Sequence, residues 1–137
     1  MKSILIVASV AVVLLVPTSA QTEGECWAIS NVSGYSAYAN EGYKFVPDGL
    51  PSTLALCLTS GGGIVTGTNT RLVKFGESTL AGYGGNDEGN ELFEVYQLDR
   101  ANRRVLYVKT RIGTKTIAPV FSDVVSAFVG DAVPVRP

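Results

Sequence analysis

Apolar and polar positions alternate with a period of two along much of this chain, and that period predicts short β-strands. In ECWAISNV (25–32), Trp27 and Ile29 fall on one side and Cys26 and Ala28 on the other. In STLALCLT (52–59), Leu54, Leu56 and Leu58 face one way, with Ala55 and Cys57 opposite. Shorter runs at 43–46, 64–66 and 71–75 read as further strands, and SGGG at 60–63 as a tight reversal. The stretch 34–51 is dense in turn formers. Its Pro47-Asp48-Gly49 combines a preset φ with a residue that tolerates φ > 0, so a turn is expected there.

The strongest alternation lies in ELFEVYQLDRANRRVLYVKTRIG (91–113) and predicts a long hairpin. With Asp99 opposite Arg104 at the turn, Glu94 falls opposite Lys109 and Val95 opposite Val108. One face then gathers Phe93, Val95, Leu106, Val108 and Ile112. The other carries Tyr96, Tyr107 and an ion pair, and the charges read as a solvent face. A slip of one residue at the turn would mix the two faces.

In IAPVFSDVVSAFVGDAVPV (117–135) the period changes. Ile117, Val120, Phe121, Val124, Val125 and Phe128 recur at three and four, Pro119 suits a first helical turn, and Gly130 suits the position past a helix end. A helix over 118–129 is expected. The predicted fold is mainly β: a small antiparallel curved sheet or barrel of about six to eight short strands with one C-terminal helix, since closing a sheet removes its exposed edges.

The amino terminus changes the picture. Lys2, the 13 uncharged residues from Ile4 to Val16, and the small residues Thr18-Ser19-Ala20 read as a secretory signal over 1–20. Residues 21–137 then form a single exported β-rich domain, periplasmic or extracellular. The apolar run is shorter than the roughly 20 residues that a membrane-crossing helix needs, so no stable membrane anchor is expected. Loss of Lys2 takes the 11 basic residues to 10, against 12 acidic ones. That balance is no footprint for nucleic acid. Two cysteines in an exported chain predict one disulfide, Cys26–Cys57.

Candidate chemistry is sparse. The chain has no histidine, which removes the Ser-His-Asp and Cys-His nucleophile systems and the usual zinc sites. TLAGYGGNDEGNE (79–91) resembles part of a calcium-binding β-roll repeat, which makes Asp87, Glu88 and Glu91 weak calcium candidates. A single copy supplies half a site, and the glycines suit a mobile connector, so a loop without metal is expected. No cofactor motif is present. The turn DRANRR presents Arg100, Arg103 and Arg104 as a basic patch for an acidic partner, weighed against simple intramolecular balance. Tyr35, Tyr38 and Tyr43 are candidates for a stacking groove. Asn31-Val32-Ser33 matches a glycosylation acceptor. The expectation is a disulfide-closed domain acting by binding a macromolecular or envelope partner, enzyme inhibition included. A barrel carrier of a small apolar ligand is the alternative, and a carboxylate- or tyrosine-dependent enzyme a third.

Overall fold

A computed structural model describes residues 24–66, 70–85, 89–113 and 122–135. The predicted signal over 1–20 lies outside the described residues. Among the described residues the chain forms nine antiparallel strands: β1 (Glu25–Tyr38), β2 (Phe45–Leu50), β3 (Leu54–Leu58), β4 (Gly62–Val65), β5 (Leu72–Lys74), β6 (Thr79–Gly85), β7 (Glu91–Asp99), β8 (Arg104–Ile112) and β9 (Val124–Val135). Each neighbours the next in a meander from β3 to β9, and β9 closes back onto β1. The result is an eight-stranded barrel in which β2 is a ninth strand, paired only with the second half of β1.

β1 is long enough to serve two partners on one edge. Its residues 25–29 pair with β3 and its residues 32–37 with β2, while β9 runs along the other edge. A bulge between Ser30 and Ser33 shifts the β1–β9 register. Asn31 sits there with φ 52, a left-handed conformation that Asn tolerates better than most side chains.

The Asp99–Arg104 register is the one the alternation predicts, with Glu94 opposite Lys109 and Val95 opposite Val108. The sidedness is the reverse of a simple amphipathic sheet. Phe93, Leu106, Val108 and Ile112 are exposed on the outer wall, whereas Glu94, Tyr96 and Tyr107 are buried inside.

Three expectations are corrected. No α-helix occurs among the described residues: 124–129 belong to β9, and the rest of the predicted helix that is described, 122 and 123, is irregular. The valines that suggested a period of three to four instead alternate, Val124 and Phe128 inward and Val125 and Val129 outward. Ladders on both edges of β9 satisfy its backbone in a way an isolated reading cannot foresee. Second, Pro47-Asp48-Gly49 lies within β2. Proline is tolerated because β2 is an edge strand. Third, 79–85 is strand β6 rather than connector. Gly82 is required by close approach: a Cβ there would stand 2.6 Å from the Leu72 and Thr70 side chains.

Toward one end of the barrel the interior is apolar. Trp27, Ile29, Leu56, Leu58, Leu98 and Val105 are buried together there, and each such side chain contributes about 1.5–3 kcal/mol on leaving water. This end is closed by Arg100. Its guanidinium donates to Glu25 through Nε (2.8 Å) and Nη2 (2.7 Å), to Ser78 Oγ (2.7 Å) and to the Glu77 carbonyl (2.9 Å). Trp27 Nε1 donates to the same Glu25 carboxylate at 2.6 Å. Cys26 and Cys57 are register partners across β1 and β3 and are joined as the predicted disulfide.

Candidate functional site

The strand registers stack the inward side chains in layers, and the layers change character along the barrel. Tyr96, Tyr107 and Phe128 are partners on β7, β8 and β9 and form a shelf of stacked rings. Centroids are 4.4 Å apart for Tyr96–Tyr107 and 5.6 Å for Tyr107–Phe128. The apolar core lies on one side of this shelf. On the other, one layer further, Glu94, Lys109, Ser126 and Ser36 are register partners across β7, β8, β9 and β1. The next layer carries Leu92, Arg111, Val124 and Tyr38.

Two hydrogen-bonded groups occupy this polar half. Ser36, fully buried, donates to the Asp48 carboxylate (2.6 Å) or to Ser126 Oγ (2.7 Å), and Tyr38 donates its hydroxyl to Asp48 at 2.7 Å. Burial opposes ionisation of Asp48, but the bonds from Ser36, Tyr38 and the Gly49 N–H outweigh it and hold its carboxyl below the ordinary value. The same Asp48 bond, together with burial, raises Tyr38.

The second group centres on Glu94, which is 3% exposed. Tyr107 donates its hydroxyl to Oε1 at 2.6 Å. Oε2 is buried and has no hydrogen-bond partner in the structure. Burial raises the Tyr107 hydroxyl, helped by Tyr96 and by the bond to Glu94, and burial together with the Glu94 charge raises Tyr96. The Tyr107 hydroxyl therefore stays protonated as the donor to Glu94. Lys109 is half-buried across the ladder from Glu94. Burial pushes its ammonium down, against the pull of the Glu94 charge. No hydrogen bond joins the Lys109 ammonium to Glu94 Oε2, which has no partner in the structure.

On β6, Gly84 faces the same lumen opposite Leu92. A Cβ there would find only Thr70 Oγ1, at 4.0 Å, so the wall is open at that point. The arrangement offers a buried acceptor at Glu94 Oε2, a cationic donor at Lys109, hydroxyls, and an aromatic floor, with Arg111 in the next layer donating to the Ser122 carbonyl at 3.2 Å. A few convergent polar groups set among apolar and aromatic side chains are the composition of small-molecule sites.

The residues singled out from the sequence are dispersed. Arg100 is engaged at the closed end. Arg104 pairs with Asp131, which also accepts from Asn31 Nδ2. Arg103 is exposed in the turn with φ 53. Tyr35 projects from the outer wall, Tyr38 turns into the lumen, and Tyr43 is exposed after the short 3-10 turn at Ala39–Glu41. Asp87 and Glu88 lie outside the described residues, and Glu91 is exposed at the start of β7. The luminal set of Glu94, Tyr107, Lys109, Ser126, Ser36 and Asp48 was not assembled from the sequence. Its one local signal was polar residues alternating with apolar ones in 91–113, and that signal does not say which face is inside.

No family model, no curated relative and no solved structure matches the chain.

Proposed function

We propose that this protein is an exported, disulfide-closed barrel that binds a small polar molecule in its lumen. The ligand lies against the Tyr107–Phe128 shelf and donates a hydrogen bond to Glu94 Oε2. The observation that carries the reading is that oxygen: a carboxylate at 3% exposure with one acceptor atom unmet. An unpaired buried acceptor costs about 1–3 kcal/mol, more when charged, and such groups call for an explanation. A ligand donor supplies one. The polar layers favour a ligand with hydroxyl, amide or amine groups over an apolar one, because the apolar half of the barrel is filled by its own side chains. Export is supported by the Cys26–Cys57 disulfide, which persists in oxidising compartments.

The test is to purify the protein natively, denature it, and profile the released small molecules by mass spectrometry, alongside Glu94→Gln and Gly84→Leu variants. A compound close to stoichiometric in the wild type is expected. Loss of a charge-assisted hydrogen bond predicts about ten- to hundredfold less of it in Glu94→Gln. Gly84→Leu, which narrows the lumen without touching Glu94, is expected to lose it as well. Equal recovery from all three proteins would place the binding site outside the lumen.

A further inference from the structure

The outer wall of β7, β8, β9 and β1 carries a face that the fold itself does not use. Phe93, Leu106, Val108, Val129 and Tyr35 point outward there, with exposures of 47%, 45%, 43%, 45% and 57%. They are contiguous, because Leu106 is the register partner of Val129, and Val108 and Tyr35 both flank Ala127. A shallow groove runs between Tyr35 and Pro47 on one side and Leu106 and Val108 on the other. No outward position on these four strands is charged between Glu91, near the open end, and the Arg104–Asp131 pair, whose charges offset each other.

We propose that this wall is an interface between copies of this chain. Three features favour a second copy. The exposed side chains here, with Phe45 (63%) beside them, form one contiguous apolar patch, and the largest such patch on a protein is often functional. A standard interface covers ~800 Å² per partner, and interfaces between identical subunits are the more apolar class, depleted of charge at the centre. The wall fits that class, and a charged partner would find nothing on it to pair with. Finally, groove and projecting side chains lie on the same wall, as a two-fold contact requires, since each copy must present both to the other. Lipid is a poorer occupant. A strand needs ~9–11 residues to cross a bilayer, and β4 and β5 have four and three.

The proposal is independent of the luminal reading and is tested by mass in solution. Analytical ultracentrifugation of the purified protein is expected to give two or more chain masses. Leu106→Glu combined with Val129→Glu is expected to reduce this at least twofold, to a single chain, with the far-ultraviolet circular dichroism unchanged. Val73→Glu, at an exposed apolar position on β5 (54%), is expected to keep the wild-type mass. Tyr35→Glu, whose ring already projects from the wall, gives a second reading if the double variant does not fold. A wild type that stays monomeric up to its solubility limit overturns the proposal, and so does an oligomer that survives both the double variant and Tyr35→Glu. A monomeric wild type that sediments with phosphatidylcholine vesicles overturns it too and gives the wall to lipid instead.

Discussion

Asn31 shows how much a single residue decides. Its left-handed backbone absorbs the extra residue that shifts β1 against β9, and its side chain is tied to Asp131 at 2.8 Å. A β-branched residue in that conformation costs roughly 1–2 kcal/mol. Asn31→Val is therefore expected to lower the unfolding free energy by about that amount, and Asn31→Gly by clearly less, since glycine takes the same φ without penalty. Urea titrations of the two variants check this. Equal stability of Asn31→Val and wild type would show that the bulge does not depend on this residue. The sequence marked Asn31 only as a glycosylation match, because a bulge is defined by the partner strand, here one hundred residues away at Asp131.

At the level of elements, the hairpin of β7 and β8 was legible in register and in the membership of its faces. Which face is the interior was not. A barrel curls its sheet so that one side is enclosed by other strands, and nothing local to 91–113 says which. β9 failed for a related reason: its valines fit a helical stripe as well as a strand, and only the flanking β1 and β8 ladders decide between them. The disulfide was legible because a chain with two cysteines leaves one intramolecular pairing. It joins residues 31 apart that the β1–β3 ladder already places opposite each other. Replacing both cysteines by serine should leave the barrel folded while lowering its unfolding free energy by ~3–4 kcal/mol in the chain-entropy account. Denaturant unfolding with and without reductant measures the difference. An unchanged midpoint would mean that the unfolded chain is confined by something else.

For the molecule as a whole, the ends of the barrel respond together to acid. Glu25 is held below its ordinary value chiefly by the Arg100 hydrogen bonds, against burial. Asp48 at the polar end is held down by its hydrogen bonds despite burial. Both folded values are depressed, so each contribution is complete above the unfolded carboxylate range, about pH 4. It is lost as pH falls through the lower folded values. Stability should be level from neutral pH to about pH 5 and decline below about pH 4. Glu25→Gln and Asp48→Asn should each flatten that decline. Thermal melts between neutral and acid pH test it, and an acid limb of the same slope in both variants would show that other carboxylates govern it.

The sequence by itself determined the class, because alternation and turn chemistry are local properties: mainly β, antiparallel, one disulfide, and one long hairpin whose favoured register the β7–β8 ladder then fixed. It also narrowed the chemistry, since a chain without histidine must use carboxylates, phenols and cations. Only the tertiary structure decided where inside lies. Closure of β9 onto β1 places Glu94, Tyr107 and Lys109 in the lumen beside Ser126 and Ser36, brought from 32 and 58 positions away from Glu94. The same closure leaves Leu106, Val108 and Val129 on the surface. The physical reason is that period two assigns residues to faces, while burial of a face depends on which distant strands enclose it.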